Sequence, residues 1–281
     1  MVRIPSSIQD VLNGLISSRG KLVVLTGAGI SADSGIPTFR GKEGIWTIGS
    51  REYQPQELAT AAMFAREPEQ VWAFYLYRVV TCRDAQPNSG HHELVKWEQR
   101  FGDHFRLITQ NVDGLHLLAG NCLTRTYQIH GNIRFLRCWD DCGQEKWPLD
   151  MGALSARQKH QALTADERML LRCPNCGGWA RPHVLWFDEY YDEAQFYFES
   201  SLRAASSADL LIVIGTSGAT NLPMQVAHLA ANSGGVVIEV NQEASAFSKL
   251  ADQTGGGLIE GGASQVLPAI TKVWQSKGAR L

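Results

Sequence analysis

Long apolar runs are absent from this 281-residue chain, and nothing approaches the ~18 consecutive apolar residues that a membrane-spanning helix needs. An excess of one charge is absent too. Lys and Arg number 26 against 28 Asp and Glu, a formal net charge of −2, so no global field exists to grip nucleic acid or an anionic membrane. Cysteine is scarce, six residues in all, which argues against a disulfide framework. No internal repeat is visible, and the one biased tract is a glycine-rich stretch at residues 254–262. What is present is 44% hydrophobic against 19% charged residues, a globular and not a disordered composition. The length suits one large domain or two modest ones.

The first 20 residues place Ile8, Val11, Leu12, Leu15 and Ile16 at helical spacing with polar residues between. The pattern predicts a packed amphipathic helix, started around Ser7 and Asp10 and stopped by Gly20, rather than a cleaved signal. Together with thiols that come in close pairs, this reads as a soluble, cytoplasmic protein. Beyond the helix, short runs that are apolar almost throughout (21–26, 105–109, 210–214, 236–240) alternate with helical patterns such as 91–100 and 223–231. Such runs suit strands buried on both faces, so the expected class is α/β, a Rossmann-like parallel sheet with crossover helices. Two stretches break the rhythm. Residues 55–82 carry no strand signal and read as two helices divided by Pro68, while 134–182 hold the cysteine pairs. Both read as insertions that build a smaller, helical domain (55–82 and 134–182) beside the sheet domain (1–54, 83–133 and 183–281).

Directly after the first run comes Gly27-Ala28-Gly29-Ile30-Ser31-Ala32. It fits the G-x-G-x-x-G/A pattern, whose glycines let backbone approach a pyrophosphate at a helix start, though a tight strand-to-helix turn would look the same. A dinucleotide fingerprint also wants an acid at the end of the next strand about 20 residues on. Here residues 39–51, with Gly41, Gly44 and Gly49, read as a flexible stretch without a strand, which disfavours a standard dehydrogenase. Phe39 and Arg40 instead offer an aromatic to cover a ring and a guanidinium for phosphate. The other strand ends share one character: Gln110-Asn111-Val112-Asp113, Gly215-Thr216-Ser217 and Asn241 carry amides, acids and hydroxyls. Any one alone would be a turn or a cap; together they point to a nucleotide site. His130-Gly131 closes another such run, and a histidine is a natural general base for a hydroxyl. His91-His92-Glu93 reads as an ordinary helix start, since adjacent helical positions do not share a face.

Cys138-x3-Cys142 and Cys173-x2-Cys176 stand 30 residues apart, the second pair in a Cys-Pro-Asn-Cys-Gly-Gly knuckle. Four thiolates without a nearby histidine imply a closed, structural zinc site. Cys82 and Cys122 lack partners in sequence and read as buried thiols.

Taken in order, Gly27-Ala28-Gly29-Ile30-Ser31, Ser34-Gly35-Ile36-Pro37-x-Phe39-Arg40-Gly41, Thr109-Gln110-Asn111-Val112-Asp113-Gly114-Leu115-His116, His130-Gly131, the cysteine quartet, Gly215-Thr216-Ser217 and Asn241 resemble the sirtuins, NAD-dependent protein lysine deacylases. The resemblance spans roughly residues 21–270. It implies NAD against Gly27, Ala28, Gly29, Ile30, Phe39, Arg40 and Trp46, with the nicotinamide ribose near Gln110, Asn111 and Asp113. Thr216, Ser217 and Asn241, after Gly215, would hold the adenosine half. The acyl oxygen of a modified lysine would expel nicotinamide, with His130, Asn111 and Gln110 as the catalytic set and His130 as base for a ribose hydroxyl. An acylated-lysine peptide would lie near Val184, Trp186 and Phe187, by strand addition. Two departures stand out: Asp188 replaces a customary glycine, and five residues, one more than usual, separate Ser217 from Pro223.

Tyr75 and Arg78 sit at i and i+3, on one helix face, with small Ala59 sixteen residues earlier. A phenol beside a guanidinium can clamp a carboxylate, and Tyr-x-x-Arg here resembles the sirtuins that remove succinyl and malonyl groups, with acetyl a third candidate. The same NAD site would also serve an ADP-ribosyltransferase or NAD hydrolase. A non-catalytic NAD-sensing zinc-ribbon module is a further alternative, set against the presence of every reacting residue.

Overall fold

The structure is a computed structural model describing residues 2–36, 46–48 and 51–276. Its strands, in chain order, are β1 (Leu22–Thr26), β2 (Trp46–Ile48), β3 (Arg51–Tyr53), β4 (Phe105–Thr109), β5 (Thr126–Gln128), β6 (Gly131–Cys138), β7 (Trp147–Pro148), β8 (Ala180–Val184), β9 (Leu210–Ile214), β10 (Val236–Asn241) and β11 (Gly257–Glu260). The helices are α1 (Ser6–Ser18), α2 (Pro55–Leu58), α3 (Ala61–Arg66), α4 (Pro68–Arg83), α5 (Ser89–Phe101), α6 (Leu115–Ala119), α7 (Ala165–Leu170), α8 (Glu193–Phe196), α9 (Phe198–Ser206), α10 (Asn221–Asn232), α11 (Ser248–Gln253) and α12 (Ala263–Ser276). Among the described residues no helix is long and apolar enough to cross a membrane.

Six strands form one parallel sheet in the order β11-β10-β9-β1-β4-β5. β1 and β9 are buried at every position, which is why their sequences do not alternate. The pleat splits them between two cores. Leu22 and Val24 join Ile212 and Ile214 under α1, α5 and α12, while Val23 and Leu25 join Leu211 and Val213 under α9, α10 and α11. The result is the expected α/β class.

The second unit is built around the antiparallel sheet β7-β6-β8. Helix α4 is apolar nearly all round, and Val71, Trp72, Phe74, Tyr75, Leu76 and Val79 are buried, as an all-round apolar helix must be. Trp72 Nε1 donates to the Ala180 carbonyl at 2.7 Å, pinning α4 to β8. The long segment between the cysteine pairs joins the same core through Leu149, Leu154, Leu163 and Leu171. It also reaches α4 directly, Arg168 meeting both Glu69 oxygens at 2.9 Å. The small sheet starts at Gly131 and ends at Val184, so β6 and β8 each reach into the stretches that sequence assigns to the larger sheet.

Several local expectations need correction. The 39–51 stretch is not strandless: β2 and β3 pair antiparallel, Trp46 with Tyr53. The glycine-rich 254–262 tract holds edge strand β11, for a steric reason: a Cβ on Gly256 would lie 1.8 Å from the Val237 carbonyl oxygen. Residues 55–82 form three helices, because Thr60 caps a separate α3 by accepting from the Met63 N–H at 3.0 Å. Helix α1 begins after Pro5 with no side-chain cap, and Arg19, at φ 53°, takes the left-handed position before Gly20.

Candidate active site

From β1 the chain adds β4 and β5 on one side of the parallel sheet, then β9, β10 and β11 on the other. The order therefore reverses beside β1, and ligands of such sheets bind beyond the strand carboxyl ends at that crevice. Here two glycine turns meet. Gly27 N–H donates to the Ile214 carbonyl at 2.9 Å and Gly29 N–H to the Gly215 carbonyl at 2.8 Å. A Cβ on Gly29 would come 2.7 Å from Gly215 Cα, and one on Gly215, at φ +59°, equally close to Gly29 Cα. Backbone lies against backbone, and only glycine allows it. From Ala28 to Ser34 the chain turns as a 3₁₀ helix, with Ile30 and Ser31 buried, instead of opening an α-helix.

Around this crevice the polar strand ends form one network. Asn111 Nδ2 donates to Ser31 Oγ at 3.1 Å, and Ser31 Oγ donates to Asp113 Oδ2 at 2.8 Å. The other Asp113 oxygen accepts the Leu115 N–H at 2.8 Å. Burial pushes the Asp113 carboxyl up, and these two hydrogen bonds oppose that rise. Gln110 Nε2 donates to Thr216 Oγ1 at 2.9 Å, and its Oε1 accepts from Thr220 at 3.1 Å. Asn241 Nδ2 donates to the Thr216 carbonyl at 3.1 Å. The structure thus joins Gly27, Gly29, Gln110, Gly215, Thr216 and Asn241 in one place, with Ala28 and Ile30 in the turn. Ser217 lies exposed beside them. Phe39 and Arg40 fall outside the described residues, and Trp46 is described only as backbone, at the start of β2.

His130 stands where β5 passes into β6. Its Nδ1 lies 3.1 Å from the Gln110 carbonyl, which can only accept, so Nδ1 carries the proton and Nε2 the lone pair. Burial drives the imidazole down to about 4, although the Gln110 carbonyl pushes the other way. A neutral ring with a defined acceptor nitrogen is what a general base requires. Nε2 is 2.8 Å from the hydroxyl of Tyr191, a residue with no local sequence signal.

On the other side of His130, Ala59, Tyr75, Val184 and Trp186 belong to one buried cluster. Trp186 is wholly buried, its ring 3.5 Å under the Arg181 guanidinium. Its Nε1 donates to Tyr75 Oη at 3.0 Å, so the phenol keeps its own proton to give. Burial pushes that phenol up to about 12. Arg78, one turn on, lies partly exposed and acts electrostatically on both Tyr75 and Asp113. Of the three residues expected to meet a peptide, Val184 and Trp186 face inward and Phe187 is 55% exposed. Phe187 N–H donates to the Ala59 carbonyl at 3.0 Å, tying the 55–82 insertion to the segment that follows β8.

The profile of the Sir2 family matches residues 27–221. The chain belongs to the Sir2 family. It is similar to an NAD-dependent protein deacylase of Leptospira interrogans, 39% identical over 252 residues covering 90% of this chain and 92% of that protein. It is also similar to one of Pyrococcus abyssi, 38% identical over 263 residues covering 94% and 96%. Among solved structures, a Sir2 homologue bound to 2'-O-acetyl ADP ribose superposes with a TM-score of 0.78, at 32% identity and 99% coverage of each chain. A Sir2 homologue–NAD complex gives 0.78 at 31% identity, covering 98% of this chain and 96% of that one.

In this Sir2 chain the four cysteines cluster with all sulfurs within 4.8 Å of one another. Cys138 and Cys176 lie 3.6 Å apart, and Cys142 and Cys173 3.5 Å. The edge of a tetrahedron with Zn–S arms of about 2.3 Å is about 3.8 Å, so the donors fit zinc. Asn175 Nδ2 donates to Cys142 Sγ at 3.4 Å, the kind of partner that steadies a thiolate ligand. Cys82 is buried as expected; Cys122 is exposed instead.

Both departures from the Sir2 pattern have physical accounts. The Asp188 carboxylate accepts the N–H groups of Ala61 and Ala62 at 2.8 and 3.0 Å, capping α3 from across the site. The longer loop after Ser217 delivers Thr220 to Gln110. His91 is a helix-start residue, its Nδ1 accepting from the Asn88 backbone within a capping box.

Proposed function

We propose that the chain is an NAD-dependent protein lysine deacylase that accepts succinyl and malonyl groups as well as acetyl. The observation that carries the acidic preference is the Trp186–Tyr75 hydrogen bond. Because the indole donates, Tyr75 keeps its own proton for an acceptor, and a guanidinium one turn along supplies the charge for an acyl carboxylate. Ala59 leaves room beside them. Zinc in the cysteine quartet supplies structural cross-linking alone, having no open coordination position.

In this reading Gly27, Gly29, Gly215, Thr216 and Asn241 hold the dinucleotide, and Asn111 and Asp113 hold the nicotinamide carboxamide through an amide donor and a carboxylate acceptor. Once the acyl oxygen has displaced nicotinamide, His130 removes a ribose hydroxyl proton and free lysine leaves with O-acyl-ADP-ribose as co-product. The peptide backbone docks along residues 185–187 beside exposed Phe187, and the setting is cytoplasmic, where four thiolates stay reduced.

The test is mass spectrometry of matched acetyl-, succinyl- and malonyl-lysine peptides incubated with NAD. Free lysine plus O-acyl-ADP-ribose supports the reading. A peptide carrying ADP-ribose would point to a transferase, and NAD binding without turnover to a sensor. Tyr75→Phe and Arg78→Met should lower kcat/KM on the acidic acyl groups by about 10- to 100-fold, the loss of one or two charge-assisted hydrogen bonds. Deacetylation should change little; equal losses on all three peptides would remove the clamp.

A further inference from the structure

A neutral imidazole has one lone pair, on the nitrogen without a proton. In His130 that nitrogen is Nε2, because Nδ1–H is engaged by the Gln110 carbonyl. The Tyr191 hydroxyl stands 2.8 Å from Nε2 and can only be donating to it. A base whose single lone pair is filled cannot also accept directly from a ribose hydroxyl. Either the phenol leaves, or the proton travels through it.

The phenol is firmly held. Its ring lies between His130, centroids 5.9 Å apart, and Phe198, 6.3 Å apart, both near-parallel, and it packs on the core beneath α9 and α10. Thr220 spends its one hydroxyl proton on Gln110 Oε1, at 3.1 Å. The loop extension after Ser217 thus braces the Gln110 side chain. Tyr191 Oη, donating to His130, keeps lone pairs to accept from a second partner. Burial raises the phenol to about 12, into the range of a sugar hydroxyl, so a proton can pass across it without a deep energy well on the way.

We propose that Tyr191 is a catalytic proton relay between the ribose hydroxyl of the bound dinucleotide and His130. As the ribose oxygen forms its bond to the acyl carbon, its O–H bond breaks toward Tyr191 Oη, and the proton already on Oη moves to His130 Nε2. No oxidant or further reactant is needed, and the phenol ends the step neutral. The proposal rests on the deacylase reading above and adds to it a residue outside the motifs.

The experiment separates two halves of the reaction in wild type and Tyr191→Phe. Exchange of labelled nicotinamide into NAD reports the first half, which needs no base on the ribose; O-acyl-ADP-ribose formation reports the second. Tyr191→Phe should leave exchange within about twofold and lower product formation by about 100-fold, the usual weight of a proton-transfer group. In the free protein, ¹⁵N NMR of labelled histidine should show His130 Nε2 moving toward the unbonded acceptor position in the variant. Product formation at or above the wild-type rate would make the phenol a placeholder and overturn the relay. Equal loss of both halves would make it structural and overturn it too, as would an unmoved Nε2 resonance. A wild type that neither exchanges nicotinamide nor forms product removes the deacylase reading, whereas an active wild type beside an unimpaired variant removes the relay alone.

Discussion

The two ends of the site are made differently. At the dinucleotide end, backbone meets backbone: Gly29 and Gly215 touch, and carbonyls of β9 and its turn receive the N–H groups of Gly27 and Gly29. At the acyl end, side chains from α4, β8 and the 184–189 segment meet one another, Tyr75 with Trp186 and Arg181 with Glu189. A backbone-built surface accepts almost no substitution, while a side-chain-built pocket can be re-tuned one residue at a time. Under the proposed function, co-substrate recognition is thereby uncoupled from the choice of acyl group.

Gly29→Ala tests the contrast most severely. Its new Cβ would sit 2.7 Å from Gly215 Cα, with no flexible side chain to give way. We expect turnover on every acyl peptide to fall by about 100-fold or more, as for an angstrom-scale misplacement of the reacting partners, with the KM for NAD raised. Loss confined to one acyl group would show that the two ends are not independent.

Acid should also act at the dinucleotide end first. Burial lowers His91 and His130 to about 4 and lowers His116 as well, whereas an unfolded histidine titrates near 6.5. The unfolded chain therefore binds more protons between those values. Stability is fully present above about pH 6.5 and declines as pH falls toward 4, by up to about 3 kcal/mol for each of His91 and His130. Calorimetric midpoints should be level from pH 8 to 7 and drop below 6.5; a level trace down to pH 4.5 would contradict the buried neutral rings.

The smallest effect is expected from Asp188→Gly. Losing a carboxylate that caps two N–H groups of α3 should cost about 1 kcal/mol, a midpoint decrease of roughly 2–4 °C. Activity on acetyl peptides should remain within about twofold. A large loss of turnover without a change in midpoint would give Asp188 a direct part in peptide binding.

The sheet was legible because its central strands are almost wholly buried. The 105–109 and 210–214 runs coincide with β4 and β9, since a strand covered on both faces leaves no doubt in composition. Strand β11 was hidden because its entry is glycine for steric reasons, not for flexibility. The cysteine spacing identified its cluster without help from the fold. The support of the site was not legible. Thr220 and Tyr191 are ordinary residues in sequence and matter only because β1, β4 and β9 converge. Asp188 looked like a defect in a motif and is a helix cap.

The backbone of His130 is suspended from two sheets at once. The Ile129 N–H is held by the Thr109 carbonyl of the parallel sheet, while the His130 carbonyl receives the Leu185 N–H just beyond β8. Gly131, at φ +84°, packs so tightly on His183 that a Cβ would lie 2.1 Å from its carbonyl oxygen. The imidazole's aim is therefore set partly by the strand pair that the four sulfurs fasten at its far end. A metal that does no chemistry becomes part of the alignment of the base, and depriving the protein of it would blunt turnover while leaving the crevice for the dinucleotide whole.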